Sequence, residues 1–319
     1  MNKHIIILII LAIIASIYPL LLPTYLTVGI TALLFTGWAS SWNILGGWAG
    51  QLSLGHASFV GLGAYFVALG TVYFPEIPWW ALMLILFLAA GIIAYLWGKL
   101  TFRLFGPYFS LSTIAVAEIV RLFVINETWL TGGASGVFID TLPQPFGLDL
   151  FDTVTQYYLA LAYATITIII TIFISKNKLG FQLRAVRDNE DAAMAAGINP
   201  TATKLKAFMI SGTLTSLGGA IYGVYLSFIE PHIIFNLLLS IQIALTVIIG
   251  GRGTIWGPAV GAFILVISGE LFRTVFAQAN MLVYGILILI IILLMPKGIV
   301  GELIQRTIRR KYAKSTEGK

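Results

Sequence analysis

No cysteine occurs in the 319 residues, which excludes disulfides, thiolate nucleophiles and cysteine-held metals. Charge is almost as scarce, with Asp, Glu, Lys and Arg making up 10% of the chain, against roughly 25% in a soluble domain. So few charges do not cover a water-facing surface, and the chain reads as an integral membrane protein. The three histidines, His4, His56 and His232, are too dispersed to form a metal site or a hydrolytic centre, so neither a catalytic residue nor a metal ligand is expected. No nucleotide-binding loop of the G-x-x-x-x-G-K-[ST] type is present, so any ATP is used by another chain. The net charge of +6 sits in short loops and at the C-terminus, a pattern of membrane orientation rather than of nucleic-acid binding.

What fills the chain instead is apolar, with 59% of residues hydrophobic. The runs last about 18–23 residues without in-and-out alternation, which predicts spanning helices rather than barrel strands. Ten segments can be drawn, at about 5–22, 25–45, 52–73, 79–97, 104–125, 153–175, 207–229, 237–250, 255–273 and 280–296. The first has a basic start but no small-x-small cleavage site, and is read as a retained helix. With the N-terminus in the cytoplasm, all of the 19 Lys and Arg fall inside except Arg121 and Arg273, near outer ends of spans. Glu76, Glu127, Asp140, Asp149, Asp152 and Glu230 fall outside.

The expected fold is an all-α integral membrane protein of the cell inner membrane. It is a polytopic helical bundle of about ten transmembrane helices, short or broken ones included, with N- and C-termini cytoplasmic. One transmembrane domain covers 1–319, with an external loop at 126–152, a cytoplasmic loop at 176–206 and a basic tail at 297–319. Segment 237–250 is only about 21 Å long as a helix. It runs into GGRGTIWGPAVGA, which reads as a discontinuous or re-entrant element.

Residues 47–65, GWAGQLSLGHASFVGLGAY, place five glycines among a glutamine, two serines and a histidine. Close helix packing is one reading, with Gly46/Gly50, Gly219/Gly223 and Gly257/Gly261 as G-x-x-x-G pairs. Backbone that breaks at membrane depth to line a cavity is the other. As a helix, the stretch puts Ser53 and His56 on one face and Gln51 and Ser58 on another. Such a stripe is a candidate substrate pathway; the alternative is that each side chain bonds a neighbouring helix. Glu118 is an intramembrane carboxylate that either pairs with Arg121, three residues on, or serves the pathway. Glu270 and Arg273 repeat the spacing, which favours structural pairing for both.

The loop segment LGFQLRAVRDNEDAAMAAG predicts a short amphipathic helix ending at Gly197 in the C′ position, with Asn199-Pro200 as the stop and Thr201 as cap of the next helix. Its charged surface is Arg184, Arg187, Asp188, Glu190 and Asp191, while Ala192, Ala193, Ala195 and Ala196 permit close approach. Docking into a partner's groove and lying on lipid headgroups both fit this pattern.

DAAMAAG, Asp191 to Gly197, resembles the E-A-A-x-x-x-G pattern of bacterial ABC importer permeases, with Asp for Glu. RAVRDNEDAAMAAGINPTATKLKAF, GPYFSLSTIAVAEIVR and GGRGTIWGPAVGA are similar to the branched-chain amino acid permeases, and GQLSLGHASFVGLGAY to their LivM type. The likeness runs from about residue 30 to 300. It implies that 176–206 carries the element that couples to ATPase subunits. It also implies a second homologous permease, two ATPases that use the ATP, an extracytoplasmic binding protein, and leucine, isoleucine or valine as cargo. Relatives carry urea, short amides or aromatic acids, so other small organic solutes remain open. An ion-coupled secondary transporter would need ionisable residues at the midplane, which is nearly empty of them; a membrane-embedded enzyme would need a cluster of His, Asp or Glu.

Overall fold

In the computed structural model, residues 2–104, 106–139, 149–275, 285, 289, 293, 297–303 and 305 are described. The helices in chain order are α1 (Asn2–Leu21), α2 (Leu26–Asn43), α3 (His56–Tyr73), α4 (Trp79–Thr101), α5 (Pro107–Asn126) and the short α6 (Thr128–Thr131). They continue with α7 (Thr153–Lys176), α8 (Lys178–Asp188), α9 (Glu190–Ala195), α10 (Pro200–Leu226), α11 (Pro231–Ile234), α12 (Leu237–Gly250) and α13 (Gly257–Val275). Among the described residues, eight helical stretches are long and apolar enough to cross a membrane, with α11 and α12 counting together as Pro231–Gly250. The chain is a polytopic helical membrane protein. Its outer faces agree: Ile6, Ile9, Ile10, Ile13 and Ile14 of α1 and Leu84, Leu88 and Ile92 of α4 are exposed, a surface suited to lipid.

Nine of the ten drawn segments carry a helix. The tenth, 280–296, lies almost wholly outside the described residues, as do Asp140 with the rest of 140–148 and the tail at 306–319. Helix starts follow local chemistry. Asp152 accepts from Thr155 N (3.0 Å) to open α7, and Asn236 accepts from Leu238 N (2.9 Å) to open α12, each supplying an acceptor to an otherwise orphan N–H. The cap of α10 is Asn199, bonded to Ala202 N at 3.0 Å, and not Thr201. Pro200 at the first helical position already has the helical φ, so the helix starts two residues earlier than expected.

At the centre, α10 packs against α2, α3, α4 and α7. Its crossing with α3 is made backbone to backbone. A Cβ on Gly63 would overlap the Ser216 carbonyl oxygen, and one on Gly219 the Val60 carbonyl oxygen. Gly261 of α13 meets the Thr246 carbonyl of α12 in the same way. Two of the three G-x-x-x-G pairs are thus packing contacts. The Gly46/Gly50 pair is not: Gly46 faces Trp42 of its own helix, and Gly50 faces Arg187.

The two ends of the bundle differ. One carries α8, α9 and the glycine loop 251–256; the other carries α6, α11 and a two-strand sheet, β1 (Val137–Phe138) antiparallel to β2 (Phe228–Ile229). Two expectations are corrected by the backbone. The third span starts at His56, not residue 52, and α2 runs past residue 45 through a π-helical turn at Ile44–Trp48. Gly50 then takes φ +71°, a left-handed conformation, and 49–55 is non-helical. The loop 176–206 holds two short helices rather than one, because Asn189 is extended (φ −162°) and turns its side chain to cap Ala192 N at 2.9 Å.

Candidate functional site

The non-helical segment 49–55 is the first feature to explain, because backbone N–H and C=O groups at membrane depth need partners. Neighbouring side chains supply them. Ser110 of α5 donates to Leu52 O (2.6 Å), Trp42 Nε1 of α2 to Ser53 O (2.8 Å), and Leu54 N donates to Thr113 Oγ1 (3.1 Å). Ser240 of α12 accepts from Ala57 N at 2.8 Å. Gly55 leaves room for the Trp97 ring and the Thr113 carbonyl, which a Cβ would meet. The glycines and the polarity therefore serve a break in the span, held from four helices.

His56 sits fully buried at the start of α3. Its Nε2 lies 2.8 Å from Ser211 Oγ and its Nδ1 3.0 Å from Ser53 Oγ. Ser211 spends its own proton on Ser41 O (2.7 Å), so Nε2 is the protonated nitrogen and Nδ1 accepts from Ser53. The ring packs between Trp42, Phe59 and Phe208. The two stripes predicted for a continuous helix do not form, since Gln51 and Ser53 precede α3. Ser58 is buried with only a long contact to Ala117 O (3.5 Å), and Gln51 is half-buried. Replacing His56 with leucine strips the partner from two buried hydroxyls. The expected cost is about 2–4 kcal/mol, read as a lower Tm of the purified protein; an unchanged Tm would contradict the hydrogen-bond chain.

Glu118 is 50% exposed on α5 and ion-paired with Arg121, whose Nε donates to Glu118 Oε2 at 2.9 Å. Arg121 Nη1 also reaches His232 Nδ1 on α11 at 3.2 Å. Only Phe109, Thr113 and Val124 of α5 are buried. A long helix with an exposed ion pair in its C-terminal half has a face that meets water or another chain.

At the opposite end of the broken segment lies the loop helix pair. Arg187 of α8 donates from Nη1 to Gly47 O (3.3 Å) and from Nε to Asp188 Oδ1 (3.0 Å). The loop at Gly253 is tied to the same turn, with Asn43 Oδ1 accepting from Gly253 N (2.9 Å) and Trp48 Nε1 donating to Gly253 O (2.9 Å). Arg184 donates to Ser175 O at 3.0 Å and stacks on Phe181, 4.8 Å from the ring centre. Glu190 pairs with Lys204 of α10, and Ala193 is buried, so α9 is anchored on its inner side. Asp191, Ala192, Met194, Ala195, Ala196 and Gly197 are exposed. Gly197 closes α9 at φ +79°, with Ile198 N bonded to Ala193 O (2.9 Å) and Gly197 N to Met194 O (2.9 Å), the paired bonds of a Schellman end. The C′ glycine was legible in the sequence. Ser211, Ser240, Thr113 and Asn43 were not, since a lone hydroxyl or amide in an apolar helix has no spacing that marks its partner.

Comparison with known proteins follows this geometry. The family model for branched-chain amino acid transport system permease components matches residues 23–294. The LivM permease protein of the high-affinity branched-chain amino acid transport system of Escherichia coli is 29% identical over 281 residues, 81% of this chain and 65% of that relative. The chain thus spans a little under two thirds of the length of the LivM relatives. The BraD permease protein of Pseudomonas aeruginosa is 26% identical over 294 residues, 87% of this chain and 94% of its own. The ribose import permease protein RbsC of Bacillus subtilis is 27% identical over 195 residues, 58% of each chain. No solved structure matches.

Proposed function

The chain belongs to the family of branched-chain amino acid transport system permease components, and on that basis we propose that it is the permease subunit of an ATP-driven importer. It resides in the bacterial inner membrane with both termini cytoplasmic, and forms half of a pathway with a second, homologous permease. Two ATPase subunits dock on the loop 176–206 and use the ATP. An extracytoplasmic binding protein delivers leucine, isoleucine or valine. No cofactor belongs to this chain and no step of covalent chemistry takes place in it. The likeness to a ribose import permease keeps a different small organic solute, urea or an amide among them, as the alternative cargo.

The observation that carries the mechanism is the double attachment of the loop. The face of α9 is open, yet the element behind it is bonded to the helix break through Arg187 and Gly47. A partner pressing on α9 therefore moves the π-helical turn and the segment 49–55, which leads straight into α3. Gln51 and Glu118 are the residues of the expected pathway set that reach a surface, and α5 is the helix proposed to face the pathway. Ser53, His56 and Ser58 support the break from within.

The test is uptake of L-leucine into vesicles holding this chain, its partner permease and its ATPases, supplied with the binding protein. Uptake is expected only with ATP inside and with the ATPases present. Uptake by vesicles lacking the ATPases would sink the reading and reopen ion-coupled transport.

A further inference from the structure

A cavity of about 500 Å³ opens between α2, α10, α12 and α13. It is distinct from the α5 face and from the break at 49–55. Its polar lining is Thr27, Thr31, Tyr225, Gln242, Glu270 and Arg273, while Phe35 and Leu265 give it an apolar wall. The same four helices place all of these toward the end of the bundle opposite α9.

The polar groups are underused. Gln242 lies on α12, and its amide makes no hydrogen bond with any described residue; the same holds for the hydroxyls of Thr27 and Tyr225. Gln242 and Tyr225 are half-buried and Thr27 is exposed, so their polar groups are open to water or to a ligand that enters the cavity. Glu270 and Arg273 share one bond, Nη2 to Oε1 at 3.0 Å. That leaves Oε2 and most of the guanidinium N–H groups for another molecule. A carboxylate and a guanidinium side by side match the ammonium and carboxylate of one zwitterion. The neutral donors and acceptors around them suit its remaining hydrogen bonds, and the apolar wall suits an aliphatic side chain. As a purely structural pair, Glu270–Arg273 would leave the free amide of Gln242 and the shape of the cavity unexplained.

We infer that this cavity is a transient binding site that the transported amino acid occupies before it reaches the α5 face, with Glu270 receiving the ammonium group and Arg273 the carboxylate. This rests on the amino-acid reading given above. The absence of cysteine makes the test direct. Thr31→Cys, or Thr27→Cys as a second position, is placed in the complete importer in vesicles and labelled with a membrane-impermeant maleimide. Millimolar L-leucine is expected to slow labelling at least about threefold. Isovalerate, which lacks the ammonium group, and isoamylamine, which lacks the carboxylate, leave the rate unchanged, and Glu270→Gln removes the protection. Labelling indifferent to leucine in vesicles that accumulate leucine overturns the site and leaves the amino-acid reading intact. Vesicles that take up another solute but not leucine overturn that reading, and the site with it.

Discussion

Met194→Glu is expected to leave the protein folded and inserted while abolishing ATP-driven uptake. Met194 is 52% exposed on α9 and its side chain makes no polar contact, so the substitution costs the isolated chain at most about 0.5 kcal/mol. Apart from Asp191, the exposed residues around it, Ala192, Ala195 and Ala196, are small and apolar. A partner groove that closes over such a face strips the water from anything placed there. Burying an unpaired carboxylate costs at least about 3 kcal/mol, more than a hundredfold in association. Copurification of the ATPase with the permease, read beside leucine uptake, reports the result. Full copurification with full uptake would place the docking surface elsewhere.

The second large effect is structural. Gly63→Val is expected to prevent accumulation of folded protein, and Gly219→Leu likewise. At both positions the added Cβ itself overlaps a backbone carbonyl of the facing helix, so no side-chain rotamer relieves the clash. The cost is expected to exceed about 4 kcal/mol. Gly91→Ala is the control: the nearest atom to its Cβ is Thr213 Oγ1 at 3.5 Å, ordinary contact, and alanine favours a helix by roughly 0.8–1 kcal/mol over glycine. Size-exclusion profiles of detergent-solubilised protein separate the two classes. A monodisperse Gly63→Val protein would show that the α3–α10 crossing yields without penalty.

What the sequence revealed and what it hid divide by distance along the chain. Local hydrophobicity placed nine of the ten drawn segments on helices, with 280–296 almost wholly outside the described residues, and the three-residue spacing of Glu118–Arg121 and Glu270–Arg273 is matched by an ion pair in each case. The Gly197 stop is equally local. The break at 49–55 was only half legible. Its glycines and polar residues announced something unusual, but the groups that stabilise it, Ser110, Thr113 and Ser240, come from helices far along the chain. Treating the stretch as a helix therefore gave two stripes that do not exist. The division at Asn189 was missed because the surrounding composition is helical throughout, and only the turn of one side chain onto Ala192 N shows the bend. The cavity around Gln242 needs four helices to be assembled before its residues meet.

The glycine seam between α3 and α10 has a consequence for motion. Where the main chains interlock at Gly63 and Gly219 no side chain lies between them to change rotamer, so neither helix can slide or roll there without lifting away. The two travel as one rigid body. In the proposed importer, the moving joint has to lie where contacts are few and made by side chains. With so little of its surface buried, α5 meets that condition, and relaxation measurements on a labelled α5 are expected to find there the slow exchange that the α3–α10 seam lacks.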